Sequence, residues 1–171
     1  MINTILRPFQ LSDYKSIALN ANNRLIWANL RDRFPYPYSE EDALQFIKMV
    51  TAYSPSTEFA VDFNGEAIGA AGNILKDDVY SGSGEIGYWI GQEYWGKGIG
   101  TKIVAELLRI AFDDFKLYRV YAEVFDNNTA SACVLEKNGF KKEATLKNAI
   151  IKDGVRQNLS IYSIINPRLQ M

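Results

Sequence analysis

The stretch Gly84-Glu85-Ile86-Gly87-Tyr88-Trp89-Ile90, closely followed by Trp95-Gly96-Lys97-Gly98-Ile99-Gly100-Thr101, decides how this chain is read. Glu85 to Ile90 is a short, largely apolar run bounded by Gly84 and Gly91, which reads as a strand. From about Thr101 to Phe112 the apolar residues Ile103, Val104, Leu107, Leu108 and Ala111 recur on one helical face. Gly96, Gly98 and Gly100 therefore stand between a strand and an amphipathic helix. Main-chain N–H groups converge at a helix N-terminus and bind anions well, provided that residues without a Cβ let the backbone approach and take positive φ. Lys97 and Lys102 add positive charge nearby. The spacing fails two familiar phosphate loops: Gly100 comes one residue too early for a dinucleotide fingerprint begun at Gly96, and it is followed by Thr101-Lys102 where a P-loop needs Lys and then Ser or Thr. Spacing alone leaves open both a phosphate nest and a strand-to-helix turn that binds nothing.

Outward from this segment the elements fall in order. Ile2 to Arg7 reads as a strand ended by Pro8, and Ser12-Asp13 as the start of a helix through about Asn20. A second helical piece covers Arg24 to Arg31, and Pro35 and Pro37 break the chain after it. Ser39-Glu40-Glu41-Asp42 has the spacing of a capping box, with Ala43, Phe46, Ile47 and Val50 following at helical spacing. Phe59 to Phe63 and Ala67 to Ile74 read as strands joined at Asn64-Gly65, a strong hairpin signal, and Asp77 to Gly84 as a loop. Arg119 to Phe125 is a further strand, and Thr129 to Lys137 a short helix closed by Asn138-Gly139. Phe140 to Ile151 and Val155 to Ile165 form a last hairpin around Lys152-Asp153-Gly154.

The bulk numbers bound the function. With 171 residues, 47% of them hydrophobic and 23% charged, the expectation is a single globular domain over residues 1–171. A net charge of −1 provides no general attraction to nucleic acid, so a phosphate-bearing partner has to be held locally. The chain has one cysteine, Cys133, and no histidine. That removes an internal disulfide, a Ser-His-Asp triad, a Cys-His pair and the usual catalytic zinc sets, so no metal is expected. Acid–base chemistry falls to carboxylates, Tyr, Lys, backbone groups or water. No stretch approaches the roughly 18 apolar residues of a membrane helix, and Met1 to Pro8 does not read as a secretory leader. A cytoplasmic protein, off the membrane, is expected.

Taken together, these residues resemble the acetyl-CoA motif of GNAT-superfamily N-acetyltransferases, in the branch that modifies ribosomal-protein N-termini. Gly98 and Gly100 match the two small residues of the motif, while Trp95 stands where Gln or Arg is usual, as it does in that branch. A second match lies in Asn128-Thr129-Ala130-Ser131 and Val134-Leu135-Glu136-Lys137-Asn138-Gly139-Phe140, and Pro35 to Ala43 also looks like that branch. The resemblance covers the whole chain. It implies an α+β fold with a central twisted mixed sheet of about seven strands, splayed between strands 4 and 5 and flanked by helices. Acetyl-CoA is the implied co-substrate. The backbone of Tyr88, Trp89 and Ile90 would pair with its pantetheine arm, the turn from Trp95 through Gly96, Lys97, Gly98, Ile99 and Gly100 to Thr101 would hold the pyrophosphate, and Asn128 and Lys137 would complete the cofactor side. The fold is compatible with a homodimer.

Acetyl transfer to an amine needs a deprotonated amine, a donor to the thioester oxygen and a proton for the leaving thiolate. The resemblance implies direct transfer, with the Ile90 N–H as oxyanion donor. Glu85 and Glu123 compete as general base, each with an ordinary strand carboxylate as the alternative. Many family members carry a Tyr acid where this chain has Leu135, which leaves the Ser131 hydroxyl as the substitute. Trp27, Phe34, Tyr36 and Tyr38 would line the acceptor groove, although aromatics so spaced also build cores. The acceptor is an amine-bearing small molecule or a protein N-terminus. A rival reading is a non-catalytic acyl-CoA sensor of the same fold.

Overall fold

The computed structural model describes residues 4–168. Ile2 and Asn3, expected at the head of the first strand, lie outside that range. Strand β1 (Thr4–Arg7) is followed by a single 3-10 turn, then α1 (Tyr14–Ala21) and α2 (Arg24–Trp27). Asn23 caps α2 by accepting from the N–H groups of Leu25 and Ile26. That helix is shorter than expected, because Asn29 and Leu30 bond back to Ile26 and Trp27, tightening the chain out of the α-helical ladder. Helix α3 (Glu40–Thr51) opens with the expected capping box: Asp42 N–H donates to Ser39 Oγ at 3.1 Å, and Ser39 N–H donates to Asp42 Oδ2 at 2.8 Å.

Strands β2 (Glu58–Phe63) and β3 (Glu66–Leu75) form the expected hairpin. Asn64 and Gly65 both take positive φ, 54° and 91°, the conformation that a two-residue turn needs to match strand twist. Strand β4 (Ser83–Ile90) starts two residues earlier than expected, and α4 (Ile99–Arg109) starts at Ile99 and continues as a π-helical turn through Asp114. Then come β5 (Arg119–Phe125), α5 (Thr129–Lys137), β6 (Lys141–Lys152) and β7 (Val155–Ile165).

The seven strands form one mixed sheet in the order β1-β2-β3-β4-β5-β7-β6. Strands β4 and β5 are parallel, and their ladder has only three pairs, Ser83 with Arg119, Gly84 with Val120 and Glu85 with Tyr121. By contrast, β5 pairs with β7 along its whole length, from Arg119 to Phe125. The expected mixed sheet and its irregularity at strands 4 and 5 are both present.

The chain resolves into two compact units, Met1–Gly72 with Tyr88–Ile103 and Asn73–Gly87 with Val104–Met171. In the first, Ile17, Ala18 and Ala21 of α1 and Ala43, Ile47 and Val50 of α3 bury against Ala60, Ala67 and Ala70 of the β2–β3 hairpin. Alanines on the strands let the helices settle close to the sheet. In the second, Val104, Leu107, Val120 and Leu135 are fully buried. Leu108, placed on the apolar stripe of α4, is only half-buried.

An ion cluster ties β1 to the rest of the first unit. Arg7 donates to Asp62 Oδ2 at 2.7 Å and to Asp13 Oδ2 at 2.8 Å, and both carboxylates are buried. Burial alone would raise the Asp13 carboxyl, but the bonds from Arg7 and the Gln10 amide hold it below the usual carboxylate range. Arg7→Met would strand two buried acids, so we expect a loss of roughly 3 kcal/mol in urea unfolding at pH 7. A lowered folded-state pKa means stability that is present above the ordinary Asp value and lost as pH falls through the folded one. The gap between wild type and Arg7→Met should therefore close on acidification. A gap independent of pH would show that the cluster contributes packing only.

Candidate active site

Two left-handed residues shape the turn ahead of α4. Gly96 and Gly98 have φ of 73° and 75°, and a Cβ built on either meets nothing within 4 Å, so the strain of an L-residue there comes from the backbone and the space in front of the turn is open. Gly100, in contrast, lies inside α4. The first α4 bond of this stretch runs from Lys102 N–H to the Gly98 carbonyl at 3.3 Å, so the amides just ahead of it precede the helix's own ladder. Among the described residues, no main-chain carbonyl accepts from the N–H of Gly96, Lys97 or Gly98. Such amides at the positive end of a helix are the kind of group that binds anions. Lys97 sits over the Tyr94 ring, its Nζ 5.3 Å from the centroid.

Upstream, Gly91 N–H donates to the Ile68 carbonyl of β3 at 2.8 Å. Strand alternation therefore turns the main-chain groups of Ile90 to the edge away from β3. On that edge the Trp95 indole N–H takes the Ile90 carbonyl at 2.8 Å. Trp95 itself is 46% exposed. So the residue standing where the motif has Gln or Arg locks the turn to the end of β4.

The predicted acceptor-side aromatics form two pairs. Trp27 and Tyr36 lie 5.9 Å apart, with the Arg24 guanidinium 5.4 Å from the Trp27 ring, and Tyr36 is exposed. Phe34 stacks on Tyr38 at 4.8 Å and meets Trp89 edge-on at 5.5 Å. Tyr38 is only 7% exposed and belongs to the core, where burial pushes its phenol up to about 12. Phe34 and Trp89 are partly buried and pack against the core cluster that contains Tyr38.

In the second unit, Glu85 is 6% exposed and accepts from Lys76 Nζ at 3.1 Å. Lys76 also lies over the Tyr121 ring, 5.5 Å from its centroid. Glu123, half-buried in β5, is likewise partnered. Asn128 is the N-cap of α5: its Oδ1 accepts from Ser131 N–H at 3.1 Å, which leaves its Nδ2 as the outward donor. Ser131 is half-buried in the first turn of α5, and Lys137 is exposed in the last. Leu135 is fully buried, so no hydroxyl replaces the missing Tyr there. A cavity of about 430 Å³ runs beside α5, lined by Asn128, Cys133, Glu136, Lys142, Ser160 and Tyr162. Among the described residues, no group of three or more His, Cys, Asp or Glu is arranged to hold a metal ion.

Sequence reading passed over one acid. Glu58 opens β2, opposite Gly72 of β3, and its carboxyl lies across that glycine: a Cβ built on Gly72 would run into both carboxylate oxygens. Burial pushes the Glu58 carboxyl up to about 7, against the opposing pull of Arg33. The available signal was a lone acid two residues before the core residue Ala60, hence on the same strand face.

Residues 3–141 match the acetyltransferase (GNAT) domain family, and the chain belongs to that family. It is 36% identical over 84 residues to the N-acetyltransferase YoaA of Bacillus subtilis (49% of this chain, 48% of that protein). It is 33% identical over 126 residues to the N-acetyltransferase p20 of Bacillus licheniformis (72% of this chain, 70% of that protein). The match to YoaA thus spans about half the length of that relative. The fold is that of the ribosomal alpha-N-protein acetyltransferase RimL in complex with coenzyme A, at TM-score 0.84 and 19% identity over 96% of this chain and 98% of that one.

A carboxyl raised in the folded state contributes stability that is complete below the ordinary Glu value and lost as pH rises through about 7. Glu58→Gln removes that loss. Its thermal midpoint should exceed that of wild type at pH 8 and converge with it near pH 4.5. Parallel melting curves across this range would place Glu58 at an ordinary carboxylate value.

Proposed function

We propose that the protein transfers the acetyl group of acetyl-CoA directly to a primary amine, on a small molecule or a protein N-terminus, in the cytoplasm. The observation that carries the reading is the pair of left-handed glycines ahead of α4, with amides that no main-chain carbonyl of the described residues accepts from. Family membership and the absence of His agree with a site built from main chain and carboxylates. The single, exposed Cys133 suits a reducing compartment, and among the described residues no helix is long and apolar enough to cross a membrane.

Bound acetyl-CoA supplies an activated acyl group on a thiol that can leave. This chain's residues bind and orient. Amides from Gly96 to Thr101 hold the diphosphate, and the β4 backbone at Tyr88 to Ile90 offers strand hydrogen bonds to the arm. The Ile90 N–H, on the edge away from β3, donates to the acyl oxygen. By the family resemblance, Asn128 Nδ2 would hydrogen-bond the arm, and the Ser131 hydroxyl would give the leaving sulfur its proton. Glu85 and Glu123 both have partners, so neither is an idle proton acceptor. Most of the acceleration comes from fixing amine and thioester together.

The buried Leu135 favours a second reading, an acyl-CoA-binding protein without turnover. Thiol release from acetyl-CoA against a panel of primary amines and N-terminal peptides separates the two: tight binding with no amine acetylated selects the sensor. For the site itself, Gly98→Val places a β-branched residue at φ 75° and a side chain in the phosphate concavity. We expect its KM for acetyl-CoA to rise at least tenfold while the secondary structure by circular dichroism is retained. An unchanged KM would remove the turn from the cofactor site.

A further inference from the structure

We propose that Glu58 is the group that receives the acceptor amine and takes its proton, a role that rests on the acetyl-transfer reading above. Ala60 and the Phe34–Trp89 pair belong to one core cluster, and Glu58, two residues before Ala60 with no bulge between them, falls on the same face of β2. Arg33, the charged group that acts on Glu58, is the sequence neighbour of Phe34, which brings the Arg31–Tyr38 loop and the acid together. Across the strand pair stands Gly72, and the missing side chain there is what lets the carboxyl lie down along the sheet. Among the described residues, no donor is bonded to the Glu58 carboxylate, and neither of its oxygens is sealed from solvent without a partner. An unpaired acid at the edge of an aromatic wall is a receptor for a cation bearing N–H donors. Tyr38, behind Phe34, keeps its proton and adds no charge.

The step balances. The incoming ammonium gives one proton to the Glu58 carboxylate, leaving a neutral amine with a lone pair. The nitrogen forms the C–N bond to the acyl carbon while the C–S bond breaks and the sulfur takes the electron pair. Sulfur takes its proton from the Ser131 hydroxyl and leaves as the free thiol, the second nitrogen proton replaces it on Ser131, and Glu58 returns its proton to solvent. A carboxyl poised near neutrality is matched to this work.

The test has two arms on the full chain. In the first, without acetyl-CoA, the side chains of Glu are labelled with 13C at the carboxyl, and the resonance lost in Glu58→Gln is titrated. It should titrate near pH 7 and shift on addition of phenethylamine at pH 8. Gly72→Ala keeps the acid but takes the space it occupies, and should abolish the amine-induced shift. An ordinary carboxyl titration, or no response to phenethylamine, overturns the proposal. In the second arm, acetyl transfer to any amine that wild type accepts is followed against pH. Glu58→Gln should lose about 100-fold in kcat/KM at neutral pH, together with the rising limb, while the KM for acetyl-CoA stays unchanged. Equal rates and equal pH limbs overturn the role of Glu58 but leave acetyl transfer standing. Transfer by wild type to no amine at all overturns the reading beneath it, and the resonance arm still decides whether Glu58 binds a cation.

Discussion

A main chain that turns left-handed twice within three residues is the constraint on which the passage from β4 into α4 depends. With φ near 75° at Gly96 and Gly98, the chain leaves β4 and enters α4 within a few residues. In doing so it points successive N–H groups outward rather than into a ladder. Other L-residues at these two places would face strain at both. Trp95 completes the arrangement from the other side, its indole fastened to the last carbonyl of β4. The turn is therefore fixed relative to the end of β4 by one side chain and two absent ones. Lys97 lies against the Tyr94 ring beside it.

The same economy appears along β4. Its N-terminal part is consumed in a short parallel ladder that ends at Glu85. Its C-terminal part faces β3 on one edge, through Gly91 and Ile68, and turns the Ile90 groups to the other. Backbone polar groups at such an edge demand a partner, and the Trp95 indole is that partner for the Ile90 carbonyl. Gly69 belongs to this arrangement, since a Cβ there would strike the Trp89 carbonyl. Close approach of β3 thus holds the Trp89–Ile90 backbone in place.

What was legible in the sequence was local. The Asn64-Gly65 turn, the Ser39–Asp42 capping box and the glycine turn are each decided by residues a few positions apart, and each is present as read. The end of α2 was not legible, because nothing in Arg24 to Arg31 announces the i−3 bonds at Asn29 and Leu30. Tyr36 and Tyr38 look alike in the sequence, yet one is exposed and the other is core. The difference lies in what α1 and α3 leave between them. Glu58 was hidden for the same reason. Its environment is set by Gly72 across a strand pair and by Arg33 in a distant loop, and no window of sequence contains all three.

Without histidine, acid–base chemistry falls to carboxylates, Tyr, Lys, backbone groups or water, and among the carboxylates burial alone does not single one out. Glu85 is well buried, and the ammonium of Lys76 at 3.1 Å occupies one of its oxygens. Glu58 is less enclosed, yet it has no bonded donor among the described residues, and Arg33 acts on it only through its charge. At Glu58 no bonded donor offsets desolvation, which pushes its carboxyl up to about 7. Two strand glutamates, one weighed in the sequence and one passed over, are thus told apart by the groups opposite them, a lysine in one case and the empty face of a glycine in the other.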